Sequence, residues 1–395
     1  MMKKILIIGA GFLQSFVIKK AKELGYFTLA VDADPNAVGF ESADDHAVIN
    51  IVDEKACLEY AKKEMIDGVL TAATDYGVLT ASYIAKELGL PGLDYEAAKR
   101  IKNKYLIRKC LYENKVDDTE QAYEVDEKTN LISLSEKIKY PVMVKPCDGS
   151  GSRGANKVEF KEDLIKACHK AMECSVTHKA EIESFIDGKE YGAESIVANG
   201  KKHVLGIMQK HMTKPPYYAE LGHAIPSQLP SEVELKVRKC VEDAIEALGI
   251  NFGSVNMDML ITDEGNVYIV DIGARMGGNM IGPCIIPYGT GVDYVAQMIK
   301  NAAGDEVDFS PKAHGAVATR LLAFSDGIVK RLPDFKKIER EFGVEIYHHL
   351  ELGQEVHEYH TNLDGCGYIV AKSDDVIDAN KKAQMVLDYI ADYIF

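Results

Sequence analysis

The chain has no tryptophan, and its 46 Lys and Arg are outnumbered by 61 Asp and Glu, giving a formal charge of −15. Nucleic-acid binding rests on basic patches that neutralise phosphates, so this deficit argues against a nucleic-acid partner. Any anionic ligand must instead be gripped by local groups. No apolar run approaches the ~18 residues that a membrane span needs, so no membrane partner is expected. The opening Met-Met-Lys-Lys before Ile5-Leu6-Ile7-Ile8 lacks a following small-residue cleavage site, and Gly9, Gly11 and the pair Lys19-Lys20 break the run early. It reads as a buried first strand. The eight cysteines (57, 110, 147, 168, 174, 240, 284, 366) form no C-x-x-C pair and have no metal-ligand spacing. They suit reduced thiols and a cytoplasmic location. Internal repeats and low-complexity tracts are also missing.

What is present is enough for real cores: 395 residues, 47% of them apolar, which suggests two or three domains. One stretch organises the rest. Gly253–Thr262 and Asn266–Arg275 are apolar or β-branched runs joined by Asp263-Glu264-Gly265, a hairpin signature. A symmetric loop pairs Thr262 with Val267, Asp258 with Asp271, Asn256 with Gly273 and Ser254 with Arg275. Opposed side chains on one face sit roughly 5 Å apart, and like charges there are destabilising. Two facing carboxylates need a third party, and a hard cation such as Mg²⁺ takes one or two carboxylates plus substrate phosphates. A solvated face with two unrelated acids is the alternative at this point.

Residues 1–100 alternate strand and helix, which implies a parallel sheet with helices on both faces. The strand 4–8 leads into Gly9-Ala10-Gly11-Phe12-Leu13-Gln14 and a helix to about Leu24, and the strand 27–31 ends at Asp32. This imitates a dinucleotide fingerprint, with Gln14 standing where the third glycine belongs. An anion site or a plain tight turn explains it as well. Further helices are expected near 53–64 and 94–101, and a strand at 68–70. Thr74-Asp75-Tyr76-Gly77 opens a helix to Leu88. Asp75, just after a strand, is either a ligand group or a helix cap.

Further motifs follow in order. Asn103-Lys104-Tyr105-Leu106-Ile107-Arg108 begins a helix, and Tyr140–Pro146 brings in Lys145. Asp148-Gly149-Ser150-Gly151-Ser152-Arg153-Gly154 is a glycine loop, and Glu181–Glu190 precedes the hairpin. Pro141–Val144 is a buried strand that carries Lys145 to a fixed depth, where an anion is the sensible partner; a lysine snorkelling from an edge strand is the other reading. The loop's backbone N–H groups suit phosphate oxygens, unless it is a flexible connector.

In this order and spacing the chain resembles the ATP-grasp carboxylate–amine ligases, a family that includes biotin carboxylase, D-alanine–D-alanine ligase, glycinamide ribonucleotide synthetase and the L-amino acid ligases. The resemblance runs nearly end to end. It implies a three-domain α/β architecture: an N-terminal parallel α/β domain at 1–100, an ATP-grasp α+β domain at 101–305 with a mobile lid at about 115–185, and a small C-terminal α+β domain at 306–395. It implies ATP and Mg²⁺ (or Mn²⁺) as cofactors, small-molecule carboxylate and amine substrates, and leaves room for a homodimer. Carried over residue by residue, Lys104, Lys145, Gly149, Ser150, Gly151 and Ser152 hold the phosphates. Glu183, Phe185 and Ile186 belong to the hinge whose backbone reads the adenine edge, and Glu190 takes the ribose hydroxyls. Asp258 and Asp271 ligate the metal, and Arg275 clamps the transferring phosphoryl group and the substrate. Glu220, His223 and Asp75 face the substrate.

One departure stands out. Many members carry Glu-x-Asn-x-Arg where this chain has Asp271-Ile272-Gly273-Ala274-Arg275, so the usual asparagine ligand is missing. Asn256, opposite Gly273, is the candidate replacement. The glycine form also occurs in L-amino acid ligases, which favours an amino-acid or small amino-carboxylate substrate. The purine-pathway ligases are the nearest alternative, yet a ribose phosphate would need basic groups near Gly11, Gln14 and Asp75, and residues 71–77 offer none. An NAD-dependent oxidoreductase would leave the lysine–glycine loop and the paired acids unexplained, and a nucleotide-binding regulatory protein would rest on the missing asparagine alone. Towards the C-terminus, His348-His349 invites a metal reading that alternation along a strand opposes.

Overall fold

The computed structural model describes residues 2–119, 121–149, 153–215, 217–313, 315–361 and 364–395. Strands β1 (Lys4–Ile8), β2 (Phe27–Asp32), β3 (Asp45–Val48) and β4 (Gly68–Thr71) form a parallel sheet in the order β3-β2-β1-β4. Ile5 to Ile8 are fully buried, as an unbroken apolar run requires when helices cover both faces. The helices are α1 (Phe12–Glu23), α2 (Glu54–Glu64), α3 (Val78–Leu88) and α4 (Tyr95–Ile101). Strand β3 lies at the edge with mostly exposed residues, so it carries no apolar signal and was not expected. α3 starts three residues later than Thr74-Asp75 suggested. Gly77 is its N-cap, so neither Thr74 nor Asp75 caps it.

After α5 (Lys104–Glu113), the strands β5 (Ala122–Val125), β6 (Val142–Pro146), β7 (Asn156–Val158) and β8 (Ala180–Ser184) build a second sheet ordered β5-β8-β6-β7. α6 (Leu131–Ser135) and α7 (Lys161–Cys174) pack on it around Val142, Val144, Leu164, Cys168 and Ile182.

The largest sheet is antiparallel throughout. It contains β9 (Lys189–Ala198), β10 (Lys201–Met212), β11 (Glu220–Ile225), β12 (Gly253–Ile261) and β13 (Val267–Gly273). β14 (Ala316–Leu321), β16 (Val344–His348) and β18 (Gly367–Ser373) continue it in the order β13-β12-β9-β10-β11-β14-β18-β16; β15 (Gly327–Ile328) pairs apart with β17 (Glu355–Val356). The C-terminal strands therefore extend the central sheet through Ala224 opposite Ala318. α8 (Ser231–Leu248) covers one face with Val237, Val241 and Ile245 against Val255, Met257 and Met259. α9 (Ile286–Thr290) and α10 (Tyr294–Ala302) join the other face to the N-terminal sheet. α11 (Phe335–Phe342) and α12 (Val376–Ile394) close the C-terminal end. His348 stacks on Phe335 with ring centroids 3.8 Å apart, a packing role. Among the described residues no helix is long and apolar enough to cross a membrane, and all eight cysteines are free thiols.

Candidate active site

The central hairpin reaches the expected register by an unexpected route. Thr262 N–H donates to Asn266 O at 3.0 Å, so the loop has three residues and Ile261, not Thr262, faces Val267. An extra residue at Val270 then shifts the ladder back, bringing Asp258 opposite Asp271 and Asn256 opposite Gly273. Bulges of this kind re-aim groups next to active sites. Here the Val270 carbonyl accepts from Lys145 Nζ at 3.0 Å. Pairing of β12 with β13 stops at Gly273, so Arg275 is not across from Ser254.

A cleft of about 500 Å³ lies between the hairpin, β10, the sheet of β6 and β8, and the N-terminal loop 73–76. Ligand pockets of roughly 300–1,000 Å³ are usual, so this one suits a nucleotide-sized molecule. Asp75, Lys104, Lys145, Gly149, Glu183, Glu190, Glu220, His223, Asn256, Asp258, Asp271 and Arg275 all line it. Its cations are already partnered. Lys104 forms a tight ion pair with Asp271, and Lys145 meets Glu183 at 2.7 Å and Glu181 at 3.8 Å. The anion expected at Lys145 is thus supplied by the fold's own carboxylates. Against burial, Lys145 and Arg108 hold the Glu183 carboxyl below its ordinary range, while burial beside Glu183 pushes Glu181 up to about 7. Arg108 fixes this cluster from beneath, with Asp117 at 2.7 Å and Glu183 at 3.0 Å.

Arg275 grips Asp75 in a fork, Nε to Oδ1 at 2.9 Å and Nη2 to Oδ2 at 3.2 Å. Asp75 can do this because it is free of helix capping. Their pair lies over Gly273, where an added Cβ would stand 2.8 Å from Asp75 Oδ1 and 2.9 Å from Arg275 Cζ. Glycine at 273 therefore makes room for a contact between the segment after β4 and the segment after β13. Asn256 does not fill that space. Its Nδ2 donates to Glu194 at 3.0 Å and its Oδ1 accepts from Arg275 at 3.2 Å, so it orients Arg275.

The segment Glu183–Ile186 departs from the expected hinge. Glu183 sits in β8 between Ala122 of β5 and Met143 of β6, so it enters the cleft by its carboxylate and its backbone belongs to the ladder. Phe185 N–H donates to Pro141 O, its ring lies 4.4 Å from Lys157 Nζ, and neither Phe185 nor Ile186 is in the described lining. Gly149 borders the cleft with φ +115°, a conformation that favours glycine. Ser150, Gly151 and Ser152 lie outside the described residues. The loop is anchored by Asp148, which accepts from Ser175 Oγ (2.5 Å), Val176 N–H (3.0 Å) and Thr177 N–H (3.1 Å). Arg153 reaches across to the Tyr76 hydroxyl at 3.4 Å.

The opposite wall holds residues that the sequence reading did not single out. Lys210 contacts Glu220 (2.5 Å), Asp258 (2.9 Å) and Glu190 (3.2 Å). Asn279 donates to Glu220, and His223 Nε2 is 4.0 Å from it. Burial raises Asp258 to about 6 and lowers His223 to about 4, whereas Lys210, working against burial, takes Glu220 down to about 2. Glu194 is fully buried and accepts from Tyr294 (2.6 Å), Asn256 and Gly277 N–H (3.2 Å); burial lifts it to about 7. An acid inside the apolar run Tyr191–Ala198, and a lysine two residues from buried Met208, were the available signals, because buried charges demand partners.

The dinucleotide-like turn is closed. Asp32 accepts from Ala10 N–H at 2.8 Å and Asp34 N–H at 3.0 Å, so each of its carboxylate oxygens is engaged by the backbone of the turn region. Gln14 folds back to donate to Ala72 O at 2.5 Å.

Residues 138–283 match the ATP-grasp domain family. An uncharacterized protein of Sinorhizobium fredii is 24% identical over 390 residues, 94% of this chain and 79% of that protein. A formate-dependent phosphoribosylglycinamide formyltransferase of Wolinella succinogenes is 28% identical over 275 residues, 69% of this chain and 70% of the enzyme. Among solved structures, the L-amino acid ligase from Bacillus licheniformis superposes with TM-score 0.85 at 22% identity, covering 98% of this chain and 97% of that one. Phosphoribosylglycinamide synthetase from Anaerococcus prevotii gives 0.78 at 24% identity, covering 100% and 99%. Residues 138–283 thus match an ATP-grasp domain that carries much of the cleft, and the chain as a whole has the fold of these two solved structures.

Proposed function

We propose that the chain is an ATP- and Mg²⁺-dependent carboxylate–amine ligase whose substrate is an amino acid or small amino-carboxylate. One observation carries this: facing carboxylates, Asp258 and Asp271, share a nucleotide-sized cleft with Lys104, Lys145, Lys210 and Arg275, each of these four resting on an acid. The donor set is all oxygen and suits a hard divalent ion. When bound, the metal–nucleotide pair supplies a transferable phosphoryl group, which activates a carboxylate as its acylphosphate for attack by an amine.

The chain's own groups position and neutralise. Asp258 and Asp271 would hold the metal. Lys104 and Lys145, with the backbone at Gly149, would take phosphate oxygens. Glu190 offers acceptors to ribose hydroxyls. Arg275, oriented by Asp75 and Asn256, faces the transferring group and the acceptor carboxylate. Glu220, held ionised by Lys210, suits a substrate ammonium, and neutral His223 sits beside it. The free thiols favour a reducing, cytoplasmic setting.

The second reading is a purine-pathway ligase such as phosphoribosylamine–glycine ligase or carboxyaminoimidazole ribonucleotide synthetase, favoured by the phosphoribosylglycinamide relatives. Against it, the lining residues Ala73 to Tyr76 bring no cation, and Asp75 is engaged by Arg275. The test is ADP and phosphate release on panels of amino acids, and separately on phosphoribosylamine with glycine, with and without Mg²⁺. Turnover on amino-acid pairs supports the first reading. Turnover only with the ribose phosphate selects the second, and NADH binding without ADP release removes both.

A further inference from the structure

Lys210 extends from β10 into a cage made by three other strands: Glu190 on β9, Glu220 at the start of β11 and Asp258 on β12. Its side chain is 2% exposed. An ammonium has three donors, so with one acid on each its hydrogen-bonding capacity is filled. Without it, three carboxylates would crowd one space. Such a cluster either takes up protons or captures a hard cation.

We propose that Lys210 is a tethered counter-ion that keeps divalent metal from entering the cleft alone and so makes metal binding depend on nucleotide. The proposal rests on the nucleotide-site reading above. A lone divalent ion approaching Asp258 meets an ammonium that its own stem prevents from leaving, and Asp271 is likewise held by Lys104. A polyphosphate changes the balance, because its oxygens offer Lys104 and Lys145 new partners and bring ligands of their own to the ion. Asp258 and Asp271 are then released to the metal, while Lys210 keeps Glu190 and Glu220. Lys210 acts through these acids and is a positioning residue.

The test is protein-bound Mn²⁺, measured by equilibrium dialysis with and without saturating ADP and corrected with a protein-free ADP control, because ADP itself chelates the ion. Wild type should bind Mn²⁺ at least about tenfold more tightly with ADP than without. Lys210→Met should bind Mn²⁺ without ADP about tenfold more tightly than wild type does, whereas Lys210→Arg, which keeps the charge, should not. Equal Mn²⁺ affinity of wild type with and without ADP overturns the proposal, as does a folded Lys210→Met that gains nothing. If Lys210→Met folds poorly, added Mn²⁺ should raise its Tm while leaving wild type unmoved; no rise in the variant counts against the idea. Should ADP fail to bind wild type, the nucleotide reading falls, while the metal-only arms still judge the counter-ion role.

Discussion

After β1, Gly9-Ala10-Gly11 turns the chain into α1; after β6, Asp148-Gly149 begins another glycine-bearing turn. In the first, Asp32 receives the Ala10 N–H and Gln14 donates to Ala72 O. In the second, Asp148 receives hydroxyl and backbone donors from 175–177, but Lys145 and Gly149 face the cleft and Arg153 spans it. An acid secures the backbone in each case, Asp32 from the end of β2 for the first turn and Asp148 from within the second. They differ in where the remaining polar groups go, and that difference, not the glycines, separates a turn closed on the fold from one that borders the cleft.

The widest separation should come from chemistry. Asp271→Asn keeps the shape of the hairpin but removes a charge that the cleft needs, so turnover should fall on the order of 10³-fold with the circular dichroism spectrum unchanged. Full activity would remove the metal assignment. Lys145→Met leaves buried Glu181 without its ion-pair partner and Glu183 with Arg108 alone, and breaking such a pair costs about 3–5 kcal/mol in a denaturant titration. A smaller loss would mean that those acids reach water. In the closed turn, Asp32→Ala orphans the Ala10 N–H for about 1–3 kcal/mol and should leave ADP affinity as in wild type. Weakened ADP binding would reopen the N-terminal turn as a nucleotide site.

A pH-dependent effect concerns Glu194, which is closed on the fold like Asp32 but sits under the cleft. Burial raises it from 4.5 to about 7, so the folded state binds its proton more tightly than the unfolded chain. The stability this contributes is fully present below about 4.5 and is lost as pH rises through about 7. Glu194→Gln lacks this titration. Its Tm relative to wild type should therefore climb across that interval in a pH series of melts, and a flat difference would argue that Glu194 stays ionised.

Parts of the site were legible because local pattern is a local consequence of period. The alternation in Gly253–Ile261 and Val267–Gly273 brings Asp258 and Asp271 to one face, and the facing pair survives a loop that is one residue shorter than the symmetric count. The compensating bulge at Val270 was not legible, since it answers to Lys145, 125 residues earlier in the chain. The same holds for β3, an exposed edge with no apolar signature, and for Glu183, whose carboxylate enters the cleft because two neighbouring strands occupy its backbone.

By itself the sequence determined the alternation of strand and helix in the first hundred residues, the order of the lysine, glycine-loop and acid motifs, and the opposition of two aspartates. Those follow from side-chain period and chain order. Only the tertiary structure decided who partners whom: Asp75 with Arg275 over Gly273, Asn256 between Glu194 and Arg275, and Lys210 among three acids. A buried charge must find its counter-charge wherever packing brings one within about 3 Å, and that choice depends on neighbours in space rather than in sequence.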